Sequence, residues 1–139
     1  MFYINTKYFN KLINEKTFNI APYELNEMYL GLGSSLPTLE GTNYTEPSGS
    51  LGYTRTKMPI DDTIFEYNDT EDCVENKNKI VIPSGIGLWE NIAYWMLFDK
   101  ETNGNLLAYG ELDKTYTIIP DVIFILLKGN LKFKIESIV

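Results

Sequence analysis

Apolar positions along this chain fall into short runs separated by turn residues, and the densest pair of runs frames one turn. Residues 89–112 read WENIAYWMLFDKETNGNLLAYGEL. The runs 92–98 and 106–112 flank a polar connection with Asn103-Gly104 at its tip, a strong hairpin signal because both residues tolerate positive φ. In the first run Ile92, Tyr94, Met96 and Phe98 alternate with Ala93, Trp95 and Leu97. Both faces are apolar, so the pattern predicts a central strand covered on both sides by a second sheet, a helix or another subunit.

The remaining runs are strand-like. Residues 27–33 put Met28, Leu30 and Leu32 on one face; Tyr29, Gly31 and Gly33 on the other leave room for a large side chain or a second backbone. Residues 51–58 read as a strand in which Tyr53 and Arg55 oppose Thr54 and Thr56, stopped by Pro59. Further short strands are expected at 63–67, 79–83, 115–119 and 122–127, with turns at Asp113-Lys114 and Pro120-Asp121. The run 122–127 is again apolar on both faces. A final strand alternates Leu131, Phe133 and Ile135 inward with Lys132, Lys134 and Glu136 outward, as suits a sheet edge. One helix is predicted near the start. Asn5 or Thr6 caps it, Phe9, Leu12, Ile13 and Lys16 form a narrow stripe, and Ala21-Pro22 ends the segment. That stripe serves either the chain's own core or a neighbour. Residues 1–4 are expected to pack back on the first turn. Residues 34–50 form a long polar loop, a type that is often functional. About eight strands and one short N-terminal helix, residues 1–20, give an all-β, mainly antiparallel, jelly-roll-like β-sandwich spanning residues 1–139 as a single domain.

Composition narrows the function. The chain has 139 residues, 44% hydrophobic and 14% aromatic, enough for a real core. Its net charge of −7 and the lack of a basic cluster argue against nucleic-acid binding. No run reaches the ~20 apolar residues of a membrane helix, and no secretory leader is evident. There is no histidine and one cysteine, Cys73, which removes the commonest general base and metal ligand and any intrachain disulfide. The acidic setting of Cys73 should raise its thiol pKa and leave it inert.

Gly31-Leu-Gly-Ser-Ser35 lacks the lysine of a P-loop and the third glycine of a dinucleotide fingerprint. The carboxylates of 61–76 invite a Ca²⁺ reading, but their spacing fits no EF-hand loop, and a solvated acidic loop is the expectation. Glu90, Asp99, Glu111 and Asp113 cluster at the ends of the central hairpin, where Trp89 and Trp95 could stack on a sugar, yet exposed acids at turns are the default in any soluble sandwich. No catalytic residue, cofactor site or metal site is therefore expected.

Three stretches in order, Tyr29–Ser35 (YLGLGSS), Thr45–Arg55 (TEPSGSLGYTR) and Ile80–Leu112, followed by a Gly-turned hairpin, resemble small virion proteins of tailed bacteriophages labelled tail-fibre or minor structural proteins. The resemblance covers nearly the whole chain. Tyr94-Trp95 stands where that family carries smaller, more polar residues. The resemblance implies a β-sandwich with no enzymatic activity and no cofactor, located in the virion and partnered by other virion proteins. With the two strands apolar on both faces, it gives the expectation of a self-associating structural protein of the tail, fibre or baseplate, a homo-oligomer. Interface candidates are Phe9, Leu12 and Ile13 on the helix and Trp95, Leu97, Ile123 and Ile125 on the strands. The alternatives are a capsid-decorating head fibre and a module that binds a host-surface glycan.

Overall fold

The computed structural model describes residues 3–20, 25 and 27–134. Its elements in chain order are β1 (Tyr3–Asn5), α1 (Lys7–Thr17), β2 (Met28–Gly33), β3 (Thr56–Met58), β4 (Phe65–Asn68), β5 (Cys73–Asn76), β6 (Ile80–Ile82), β7 (Trp89–Phe98), β8 (Leu106–Ile118), β9 (Phe124–Leu126) and β10 (Lys132–Phe133), with a 3₁₀ turn at Gly49–Leu51. All the strand pairings are antiparallel, so the all-β expectation with one short N-terminal helix holds.

The described strands form a five-stranded sheet in the order β1-β8-β7-β2-β3, a three-stranded sheet β10-β5-β4 and a two-stranded ribbon β6-β9. The hairpin β7–β8 is the axis of the large sheet, and Asn103 and Gly104 at its tip both take positive φ. Helix α1 starts where expected. Thr6 is its N-cap: the hydroxyl accepts from the N–H of Phe9 and donates to the carbonyl of Leu106, which ties the helix start to β8.

One main core joins the layers. Leu30, Leu32, Trp95, Leu97 and Leu112 of the large sheet meet Phe9 and Leu12 of α1, Phe65 of the three-stranded sheet, and Ile80, Ile82, Phe124 and Leu126 of the ribbon. A smaller cluster of Tyr29, Met96, Phe98, Leu106 and Tyr109 lies on the opposite face of the large sheet, with Ile4 and Tyr44 against it. Its cover comes partly from the loop 34–55. Ser34 N–H donates to the Thr45 carbonyl, and the Tyr44 ring meets Phe98 edge-on at 5.1 Å between centroids. The second face of β7 is therefore sealed by the chain's own loop, where the sequence suggested a sheet, a helix or a subunit.

Several boundaries differ from the sequence reading. Asp113-Lys114 is no turn: β8 runs through it, and five steps along β8 between Glu111 and Tyr116 oppose two along β7. This bulge absorbs the turn-like residues without ending the strand. Register shifts on both sides of Ile92, between Trp89 and Ile92 beside left-handed Asn91 and between Ile92 and Tyr94, break the alternation there. Ile92 consequently packs in the main core with Trp95 and Leu97, not with Met96 and Phe98. The stretch 51–55 is irregular and only Thr56–Met58 pairs, because Arg55 and Tyr53 turn their side chains into a buried network. β5 emerges from within the acidic stretch 61–76, and residues 3–5 form β1 on β8 rather than packing on the helix. Leu131 is fully buried and Phe133 packs partly buried on the core. Met1, Phe2, Ala21, Pro22, Ile135 and Glu136 lie outside the described residues.

Candidate assembly surface

The ribbon β6–β9 has two unlike faces. Ile80, Ile82, Phe124 and Leu126 point into the main core. The alternation of a strand then sends Val81 and Ile125, which are register partners, to the outside. Ile123 and Leu127 share that side of β9. These four side chains keep 41% (Val81), 36% (Ile125), 52% (Ile123) and 60% (Leu127) of their surface exposed. Beyond the Ile82 end of the ribbon the patch extends over two loops, joined by an Asp121 N–H to Gly85 carbonyl bond of 3.2 Å, which present Ile86, Leu88, Ile119 and Val122. The patch is built of branched aliphatic side chains, with no side-chain donor or acceptor among them. Soluble monomers seldom expose more than a few hundred Å² of contiguous apolar surface, and such patches mark protein contacts.

A second constellation lies at the hairpin tip and explains the Thr45–Arg55 stretch. Arg55 Nε and Nη2 donate to Glu46 Oε2 at 3.0 Å and Oε1 at 2.7 Å, a bidentate pair. Nη1 donates to the carbonyls of Lys100 and Asn103, both at 2.8 Å. The guanidinium carbon sits 3.4 Å from the centre of the Phe98 ring. The side chain of Arg55 is only 5% exposed. Burial works against its charge, but the hydrogen bonds and charge of Glu46 outweigh that, and its pKa is raised. The Tyr53 hydroxyl donates to Glu46 Oε2 at 2.5 Å and accepts from the Leu32 N–H at 3.0 Å. Burial first, and then the charge of Glu46, push the Tyr53 phenol far above its ordinary value. The Leu51 carbonyl accepts from Trp89 Nε1 at 3.2 Å and from the N–H groups of Ile86 and Gly87. The segment is thus clipped to both the start and the tip of the hairpin. Gly31 makes room for it: a Cβ there would lie 2.9 Å from the Tyr53 hydroxyl and 3.0 Å from Glu46 Oε2. An open cleft of about 350 Å³ borders this clip, lined by Tyr44, Glu46, Arg55, Glu101 and Asn103 among others.

The interface candidates divide. Phe9, Leu12, Trp95 and Leu97 lie in the main core, and Ile13 packs partly buried against it. Ile123 and Ile125 are on the outer patch. Val81 was missed, although a three-residue apolar run between Lys79 and Pro83 signals an alternating strand with one outward side chain. Trp89 and Trp95 are 2% and 1% exposed, so neither offers a stacking face to a sugar. Of the hairpin-end acids, Asp99 Oδ1 accepts from the Asn105 N–H at 2.7 Å and Asp113 accepts from Tyr116. Burial, ahead of its acidic neighbours, raises the Cys73 thiol pKa. In the stretch 61–76 Asp61 bonds Thr63 and Asp72 bonds Tyr67 locally, while Glu71 pairs with Lys132 and Glu66 with Lys128 from distant parts of the chain. Among the described residues no group of three or more His, Cys, Asp or Glu is placed to hold a metal ion. Nor is any described helix long and apolar enough to cross a membrane.

No curated protein matches the chain. The family described as podophage GP4 fiber I protein gp80 matches residues 4–134, a span that takes in the clip, the central hairpin and the ribbon. With nearly its whole length matched, the chain belongs to this family of podophage fibre proteins.

Proposed function

We propose that the chain is a structural part of the tail-fibre region of a podophage virion, acting through protein–protein assembly and not through catalysis, with the outer face of the β6–β9 ribbon as its contact surface. The observation that carries this is the concentration of exposed aliphatic side chains on one two-stranded ribbon. Such a surface has nothing with which to recognise a sugar or phosphate, and much to gain from an apolar partner. The burial of both tryptophans weakens the glycan-binding alternative, which also drew on the tyrosines and the long polar loops. The fibre family favours the tail over a capsid-decorating position.

The test is incorporation. Particles assembled with an Ile125→Glu chain should lack the protein, while the purified variant keeps its near-ultraviolet circular dichroism. Incorporation at the normal copy number would overturn the assembly reading of this surface.

A further inference from the structure

We infer that the cavity between α1 and the three-stranded sheet is a binding site for a neutral, indole-sized aromatic ring that carries one hydrogen-bond donor. The cavity measures about 330 Å³. An apolar cavity of ~150 Å³ accommodates benzene, so a bicyclic ring fits here. The volume also falls within the range of small-molecule sites, roughly 300–1,000 Å³.

The walls select an aromatic ring. Phe9 and Ile13 come from α1, Cys73 and Val74 from β5, and Phe133 from β10. Two phenyl rings and a polarisable sulfur favour a flat π-system over a saturated chain. The exposed residues Tyr67 and Asp72 mark the mouth, where the Tyr67 hydroxyl donates to the Asp72 carboxylate. The charged residues of the lining, Asp72 and Lys134, are opposite in sign, which suits a neutral ligand.

Asn5 specifies the donor. It lines the same cavity and is 5% exposed. Its Nδ2 donates to the Lys134 carbonyl at 2.6 Å, which fixes the orientation of the amide. Its Oδ1 is then an acceptor, buried and met by no donor among the described residues. Buried acceptors in folded proteins nearly always have a partner, so this one calls for a reason. Alternation puts Asn5 on the same side of β1 as Tyr3, which packs on the main core, and opposite Ile4, which packs on the smaller cluster. The side chain is therefore on the face of the large sheet that α1 covers. A ring seated among Phe9, Val74 and Phe133, with its N–H or O–H turned to Oδ1, suits both the apolar wall and the lone acceptor. An aliphatic ligand would leave the acceptor unmet, and a sugar would bury further hydroxyls against Phe9, Ile13 and Val74.

A nuclear magnetic resonance titration of the purified full chain tests this, with the methyl groups of Ile13 and Val74 as reporters. Indole should shift both in a saturable way. Benzofuran has the same bicyclic outline without a donor, and should bind about three- to tenfold more weakly, the worth of one hydrogen bond. Asn5→Leu should erase that preference. Ile13→Trp places the chain's own ring in the cavity, and should abolish the Val74 shift with the urea midpoint kept. Should either variant fail to fold, the comparison of indole with benzofuran on the wild-type chain decides alone. N-acetyltryptophanamide separates the two sources of such a ring. Binding at least as tight as that of indole assigns the cavity to a partner protein's side chain, and weaker binding to a free small molecule. No saturable shift with indole or N-acetyltryptophanamide, or equal affinity for indole and benzofuran, overturns the inference. The assembly reading of the ribbon is untouched by that result, since it is tested at Ile125 in the particle.

Discussion

Arg55 ties together the loop, the hairpin tip and the second face of the large sheet. Four hydrogen bonds divide its guanidinium between a carboxylate and two carbonyls at the hairpin tip, and its flat face covers Phe98. Removing one partner of such a buried pair strands the other. Arg55→Ala should cost about 3–5 kcal/mol in urea unfolding, and Glu46→Ala a similar amount. The double change should cost much less than the two single costs combined, and additive costs would show that the pair is not coupled. Tyr53 gives the clip a pH signature. Its folded-state pKa is raised, so its contribution is whole below the ordinary phenol value of about 10 and is lost as pH rises beyond it. Between pH 9 and about 11 the wild-type chain should lose stability more steeply than Tyr53→Phe, as followed by denaturant midpoints. The sequence placed Glu46, Tyr53 and Arg55 inside its most distinctive stretch without disclosing their role. Nothing local reveals that an arginine will reach carbonyls 45 and 48 residues away.

At the scale of elements, the pattern of hydrophobic positions located the hairpin, the helix and β2, because each rests on local chemistry: Asn-Gly at a tip, a threonine cap, alternation along a strand. It misjudged positions where a bulge resets the alternation. Period-2 counting put Ile92 with Met96 and Phe98, and the register shift between Ile92 and Tyr94 leaves it on the other face. Asp113-Lys114 has the composition of a turn, yet pairing on both flanks carries β8 through it as a bulge. β5 was hidden because Cys73–Asn76 is short and acidic, and its pairing with β4 and β10 is long-range information. Gly31 and Gly33 were read as clearances, and a Cβ at either would crowd Tyr53 or Met96; Gly110 was not read so. Gly110 is the sharpest case, since a Cβ there would overlap the Trp95 indole, itself locked in the core. Gly110→Ala should therefore destabilise by about 1–3 kcal/mol, through overpacking and not through lost turn geometry, as measured by thermal or urea unfolding. A neutral result would mean that Trp95 has room to move.

At the scale of the whole molecule, the chain closes one apolar face and leaves another open. The double-sided strand β7 needs no partner, because the clipped loop seals its second face. What stays open is the ribbon, which gives its inner face to the core and its outer face to whatever stands beside it. Expected interface residues Ile123 and Ile125 belong to that outer face, whereas Trp95 and Leu97 lie in the main core, covered by α1, the three-stranded sheet and the ribbon. An assembly surface of this kind is consistent with membership of a podophage fibre family. The most direct test is oxidative footprinting of aliphatic side chains, comparing the chain in intact particles with the free chain at low concentration. Val81, Ile123 and Ile125 should be strongly protected in the particle, with exposed Leu36 of the long loop little changed. Equal labelling of the ribbon in both states, with protection elsewhere, would contradict the account.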